Sequence, residues 1–271
     1  MVPEYETLSI ELFANVANIQ LNRPDKANAM NLQMWDDLRS GFAWADSEPS
    51  VRVVVLSGNG KHFCAGMDLS VFGGLAAGFS GDQGRNSEKM RLMIKKLQND
   101  LSAIEHCRKP VLAAVQGAAV GGAIDMLTCC DMRYCAEDTK FAIKEIDIGM
   151  TADVGTLQRL PKLIGDGMAR ELAYTGRNFY HAEALALGFV NRVFADKETL
   201  LQGVLQIAAQ IASKSPLAIR GTKEMILYTR DHSVEDGLNY IATWNAAMLM
   251  SPDMQKTLEA TLEGKVASYD D

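Results

Sequence analysis

Two almost unbroken apolar runs, 51–56 and 110–115, constrain the fold of this chain more than any other feature. Neither shows the in–out alternation of a half-exposed strand, so each reads as a strand buried on both faces. The first ends in Ser57-Gly58-Asn59-Gly60, a turn signal. Around them strand-like and helix-like segments alternate. Residues 7–12 and 17–21 read as strands, with Ala17, Ile19 and Leu21 on one face. Asn31 can cap a helix through Ala45, with Met34, Trp35, Leu38 and Phe42 on one side. Met90, Met93, Ile94, Leu97, Leu101 and Ile104 recur at helical spacing. Short strands are expected at 132–135 and 141–143, and helices at 154–163 and 199–212. The five glycines within 70–86 predict a mobile loop. From Ser215 onward the pattern is all helix, ending in a charged tail. Interleaved strands and helices predict an α/β core over 1–214 and a helical region over 215–271.

The 271 residues allow one large domain or a domain with an appendage. No stretch of about 18 or more uncharged apolar residues occurs, so no membrane span is expected. Lys and Arg total 27 against 34 for Asp and Glu, a net charge of −7. That balance argues against nucleic-acid binding, although a small basic pocket could still hold an anionic ligand. The five cysteines are odd in number and lack zinc spacing. They read as buried free thiols in a reducing compartment. The acidic N-terminus lacks the marks of a signal or transit peptide, and the C-terminus is not a peroxisomal address. Cytoplasm is therefore the expected location.

Small residues cluster in two places where a strand gives way to a turn or helix: His62 to Leu69, and Gly117 to Asp125. Such sites let a ligand approach the backbone, and a helix opening at Gly121-Gly122 offers unpaired N–H groups to an anion. Tight packing is the blander explanation for either cluster taken alone. Neither is a dinucleotide or P-loop fingerprint.

At these residues the chain resembles the crotonase, or enoyl-CoA hydratase/isomerase, superfamily. The likeness runs through Leu21-Asn22-Arg23-Pro24, Asn28-Ala29-Met30, the segment 64–69, Lys109-Pro110-Val111, Gly121-Gly122-Ala123-Ile124-Asp125 and Cys130-Asp131-Met132-Arg133. It continues through 145–149, Gly188-Phe189-Val190 and Ser215-Pro216. The resemblance implies a crotonase-like spiral of ββα units with a C-terminal helical trimerisation region. It implies homotrimers, commonly paired as hexamers. It also implies that the Met67 and Gly122 amides form an oxyanion hole for a thioester enolate. Coenzyme A would lie along Lys26, Ala27 and Ala29 and along Ala65, Gly66, Asp68 and Leu69. The acyl-CoA thioester is then the substrate. No metal or redox cofactor is expected.

Three acids fall in the active region: Asp125, Glu145 and Asp153. Each has a plain alternative. Asp153 could be a helix N-cap, Glu145 a solvated charge, and Asp125 a buried structural charge. In simple hydratases the resemblance places glutamates at the positions of Asp125 and Glu145. Here the first is one methylene shorter, and a third acid is present. The run from Glu145 to Pro161 resembles the Δ3,5-Δ2,4-dienoyl-CoA isomerase branch. Moving a proton from carbon 2 to carbon 6 of a dienoyl thioester calls for two separated groups. Glu145 is expected to be the base and Asp153 the acid, kept protonated by an apolar pocket, with Asp125 tuning both. The rival enzymes are an enoyl-CoA hydratase or a Δ3-Δ2 isomerase. A rival of another class is a non-catalytic acyl-CoA- or RNA-binding protein of the same fold. His62, His106, His181 and His232 lack a nucleophile or metal partner at suitable spacing.

Overall fold

The structure is a computed structural model and describes residues 1–71 and 81–271. The chain opens with a hairpin of β1 (Leu8–Phe13) and β2 (Val16–Leu21), turned at Ala14 and Asn15, both with positive φ. Helix α1 (Leu32–Ser47) follows, and the Asn31 side chain accepts from the Met34 amide, as the sequence predicts for a cap. Strand β3 (Val53–Gly58) leads towards α2 (Gln83–His106). The expected loop over 70–86 lies largely outside the described residues, but its last part is helical. Asp82 accepts from the Arg85 amide, a cap that starts α2 at Gln83 despite the weak apolar pattern there.

After α2 the chain alternates between two sheets. β4 (Val111–Val115) joins the larger sheet and β5 (Ala118–Val120) the smaller, and α3 (Gly122–Thr128) returns the chain. β6 (Met132–Ala136) and β7 (Lys140–Ala142) repeat this step, followed by a 3-10 turn at Glu145–Ile148. The helix expected over 154–163 is two short ones, α4 (Thr156–Arg159) and α5 (Pro161–Ile164). Pro161 explains the break, because it cannot donate within a continuous helix. Then come α6 (Asp166–Thr175), β8 (Phe179–Tyr180), α7 (His181–Ala186), β9 (Arg192–Phe194) and α8 (Lys197–Ala212). The larger sheet runs β1-β2-β3-β4-β6-β9, parallel from β2 onward, and the smaller runs β5-β7-β8. This stepping between sheets is the ββα spiral.

The apolar runs are covered on both faces. In β3, Val54 and Leu56 belong to the main core with Trp35, Leu38, Leu101 and Ile104. Val53 and Val55 belong to a second core with Leu200, Val204 and Ala208 of α8. Helices therefore sandwich the sheet, which is why the strand has no polar face. Phe141, Phe179 and Phe189 pack with ring centroids 5.2–5.6 Å apart and anchor β7, three residues before Glu145.

From Pro216 the chain is helical: α9 (Pro216–Arg230), α10 (Val234–Met248) and α11 (Pro252–Leu262). Helix α9 is tied to the core where buried Lys223 bonds Asp131 Oδ2 at 2.7 Å and the Lys109 carbonyl at 3.1 Å. All five cysteines are buried free thiols.

Candidate active site

The site forms where residues 64–67 cross between β5 and the segment after a 3-10 turn at Pro24–Lys26. Cys64 N donates to Ala118 O at 3.0 Å and Val120 N to Cys64 O at 3.1 Å. On the other side Met30 N donates to Gly66 O at 2.8 Å and Asp68 N to Met30 O at 3.0 Å. Met67 N lies between these bonds and has no acceptor among the described residues. Gly66 is required here: its φ is +91°, and a Cβ would stand 2.7 Å from Val120 O and 3.6 Å from Gly122 N.

Gly122 opens α3, and its amide likewise has no acceptor among the described residues. A Cβ on Gly122 would stand 3.9 Å from Met67 N. The two free amides are thus neighbours across the Gly66–Gly122 contact, the arrangement an oxyanion needs. Helix α3 has only seven residues, so the amides themselves are the main donors rather than a long helix dipole.

Asp125 and Glu145 lie beside these amides, and Asp153 is near enough for its charge to act on both acids. Asp125 is fully buried on α3. Its Oδ1 accepts from the Thr156 amide at 2.6 Å, and its Oδ2 has no partner among the described residues. Burial pushes its carboxyl up to about 7, helped by the charges of Glu145 and Asp153. Glu145 is held at the start of its 3-10 turn, and its Oε1 would lie 3.2 Å from a Cβ on Gly121, whose φ is +57°. Its Oε2 is buried without a partner among the described residues, so Glu145 is not a solvated charge. Burial, with Asp153 nearby, raises its carboxyl above the ordinary range.

Asp153 is half-buried, and burial raises its carboxyl too. It is not an N-cap: Gly155 holds that position before α4, with no side-chain cap, and the Thr156 amide is taken by Asp125. Nor is its pocket apolar, as expected from the sequence. Asp153 lines a cavity of about 400 Å³ with Gln98, Ser102, Arg159, Lys162 and Arg230. Val154 also lines it, but Arg159 and Lys162 close by in the chain, and Gln98, Ser102 and Arg230 from α2 and α9, make it polar. Beneath this cavity Glu105 bonds Arg159 and Arg230.

The two segments expected to hold coenzyme A are also brought together. Ala65 N donates to Ala27 O at 3.0 Å, and Ala29 N to Lys26 O at 2.9 Å. Lys26 and Leu69 are exposed, the latter at 73%. The Asp68 carboxylate accepts from Ser70 N, Ser70 Oγ and Arg23, whose guanidinium also bonds Ala29 O. These bonds hold Asp68 below the usual carboxylate range. Asn28 donates to the carbonyls of Asn59 and His62, both at 2.9 Å, and so shapes the loop. His62 Nδ1 accepts from Ala118 N, consistent with a structural histidine.

Three residues at the site had no role assigned to them from the sequence. Met30 brackets Met67 by backbone bonds and sets its side-chain methyl within 2.6 Å of a Cβ on Gly122. Thr156 supplies the amide for Asp125. Gln98 of α2 donates to the Asp153 carbonyl at 2.6 Å. Of these, Met30 and Thr156 stood in segments that carried the resemblance, and Gln98 had no signal of its own, being one of several polar residues on α2.

Comparison with known proteins shows the family. The model of the family described as enoyl-CoA hydratase/isomerase matches residues 11–271. A protein of Arabidopsis thaliana named peroxisomal Delta(3,5)-Delta(2,4)-dienoyl-CoA isomerase is 46% identical over 263 residues, covering 95% of both chains. The mitochondrial Delta(3,5)-Delta(2,4)-dienoyl-CoA isomerase of Homo sapiens is 47% identical, covering 96% of this chain and 80% of the relative. The crystal structure of enoyl-CoA hydratase from Bacillus anthracis superposes with a TM-score of 0.88 at 31% identity, covering 98% of this chain and 99% of that one.

Proposed function

The chain belongs to the enoyl-CoA hydratase/isomerase family, and we propose that it converts 3,5-dienoyl-CoA thioesters to their 2,4-dienoyl isomers in fatty-acid oxidation. Glu145 removes a proton from carbon 2. The C2–H electron pair becomes the 1,2 double bond of a dienolate as the carbonyl pair moves onto oxygen. When the carbonyl re-forms, the 1,2 pair moves to 2,3, the 3,4 pair moves to 4,5, and the 5,6 pair takes a proton at carbon 6 from Asp153. The negative charge of the dienolate rests on the thioester oxygen, which the Met67 and Gly122 amides receive. Donors of this kind contribute roughly 3–4 kcal/mol each in comparable acyl chemistry.

The observation that carries this reading is the placement of Glu145 Oε1 against Gly121, next to the Gly122 amide. A base there is beside the carbonyl end of the substrate, where carbon 2 is. Asp153 lines a separate cavity against α2, suited to the far end of the diene. The bond that the Thr156 amide donates to Asp125 Oδ1 argues against hydration, since it commits one oxygen of the acid that a hydratase would share with water. The proton transfers use carboxylates and backbone amides alone, so the proposal includes no cofactor beyond the coenzyme A of the substrate.

Purified protein should convert 3,5-octadienoyl-CoA with a gain of near-ultraviolet absorbance, and leave a 2-trans-enoyl-CoA unhydrated. Hydration of the second with silence on the first would replace this reading with a hydratase.

Assembly is part of the proposal. Val234, Leu238, Leu249, Leu258 and Leu262 of the C-terminal helices are exposed, with Leu262 at 89%. Exposed apolar side chains in this number suit burial against further copies in a homotrimer or a pair of trimers. Light scattering on the eluting protein would give the mass of the assembly, and a monomer would remove this part of the proposal. No helix among the described residues is long and apolar enough to cross a membrane. The relatives are named for peroxisome and mitochondrion, whereas the five unpaired thiols suit a reducing compartment, and cytoplasm is the location proposed here.

A further inference from the structure

We infer that Gln98 is a positioning residue for the distal acid: its amide holds the Asp153 main chain and so aims the carboxyl at the far end of the diene. The inference rests on the isomerase reading above. Residues 151–154 form neither helix nor strand. Upstream the chain is fixed by Met150 N donating to Glu145 O at 2.9 Å, and downstream by Thr156 N donating to Asp125 Oδ1 at 2.6 Å. Within 151–154, the 2.6 Å bond from Gln98 Nε2 to Asp153 O is the one hydrogen bond that another residue makes to the main chain, among the described residues; Gly155 O beyond it accepts from Gln158 N and Arg159 N of α4.

The Asp153 carboxyl has no hydrogen bond from another residue's side chain among the described residues, so its aim follows its backbone. Gln98 can act as a fixed point because α2 is itself fixed. Its neighbour Leu97 is buried, as are Leu101 and Ile104 one and two turns on. A donor carried on a packed helix holds a loop more accurately than a donor on another loop does. Gln98 and Asp153 also line the same cavity, so the contact lies at the reacting end rather than behind it. Proton delivery depends steeply on the placement of the acid, and small displacements far from the bond being made are costly in rate.

The test compares Gln98→Met, which keeps the length of the side chain but cannot donate, with Gln98→Lys, which keeps a donor. Both are assayed with 3,5-octadienoyl-CoA. The expected result for Gln98→Met is a kcat about tenfold lower, with KM within about twofold of wild type and an unchanged melting temperature; tenfold is ~1.4 kcal/mol of barrier. Gln98→Lys should recover most of the lost kcat. A Gln98→Met kcat within twofold of wild type overturns the inference. So does a parallel loss of kcat, substrate binding and melting temperature, or a Gln98→Lys variant as slow as Gln98→Met. If the wild type itself fails to isomerise the dienoyl thioester, it is the isomerase reading that falls.

Discussion

Asp125 Oδ1 accepts a 2.6 Å hydrogen bond from the Thr156 amide, so an acid on α3 caps the helix that begins three residues after Asp153. A fully buried carboxyl is thereby both part of the acid cluster and a brace for the loop that carries the distal acid. One oxygen has the amide and the other has no partner among the described residues. Burial then disfavours the ionised form, and the neighbouring acids add to that.

This relationship predicts a pH signature. A carboxyl raised to about 7 in the folded protein binds its proton more tightly there than in the unfolded chain. Its contribution to stability is present below the unfolded value near 4 and is lost as pH climbs through about 7. Asp125→Asn keeps an oxygen for the Thr156 amide and cannot ionise. The melting temperature of the variant minus that of the wild type should therefore rise by several degrees between pH 5 and pH 8, at ~2–4 °C per kcal/mol. A difference that stays flat over this range would show that Asp125 does not titrate there.

The two proposed catalytic acids should fail differently from the brace. Glu145→Gln removes the base and Asp153→Asn the acid, and each should lower kcat by about 10²–10⁴-fold, the usual span for general acid–base catalysis. Binding of the product thioester, measured by calorimetry, should stay within a few-fold of wild type. In the wild type, kcat/KM should rise as Glu145 ionises and fall as Asp153 loses its proton. Burial raises both carboxyls, so the ascending limb should lie above the ordinary range for a glutamate. An ascending limb at the ordinary value, or loss of binding with activity, would make these acids structural.

Much of the fold was legible because burial leaves a direct trace in sequence. The runs at 51–56 and 110–115 fall on β3 and β4, strands covered on both faces, although β3 starts at Val53 and continues through Ser57 and Gly58, which read as a turn; Asn31 caps α1. Short segments left less. β5 has three residues and β8 two, too few to display a period, and their partners lie 20 or more residues away. The ββα step recurs in space without any repeat in sequence, because each turn needs only small residues at its crossing and apolar ones inside. Motifs that carried the resemblance also differ in what they do. In Cys130-Asp131-Met132-Arg133, Asp131 accepts from Val111 N and Lys223, and Arg133 bonds the carbonyls of Phe189 and Cys130. These are fastenings of the core rather than chemistry. The acids were picked out through the family resemblance, since by type and spacing alone each had a plain structural alternative. The polar character of the Asp153 cavity was not legible, because Gln98, Ser102 and Arg230 arrive from α2 and α9.

The oxyanion amides make a prediction in which no side chain is lost. In Gly122→Ala the new methyl would stand 3.9 Å from Met67 N and 2.6 Å from Met30 Cε. The methionine end can move aside, so the fold should survive. The methyl then intrudes where the thioester oxygen belongs, and kcat should fall by roughly 10²–10³-fold, as for loss of one oxyanion donor. Circular dichroism should match wild type. A variant with near-normal kcat would mean that the thioester oxygen binds elsewhere.

Each turnover leaves Glu145 with the proton from carbon 2 and Asp153 without the one it gave to carbon 6. The site must reset before the next substrate. Asp153 is half-buried and lines a polar cavity with Ser102, Lys162 and Arg230, which gives water a route to its carboxyl. The replacement proton should therefore come from solvent. Isomerisation in D2O should place deuterium at carbon 6 of the 2,4-dienoyl product, read by NMR or mass spectrometry on the first percent of conversion. Protium at carbon 6 in D2O would instead require that the proton taken by Glu145 is handed to carbon 6 within the closed site. In that case Asp125, charge-coupled to both acids and raised to about 7, would be the group placed to relay it.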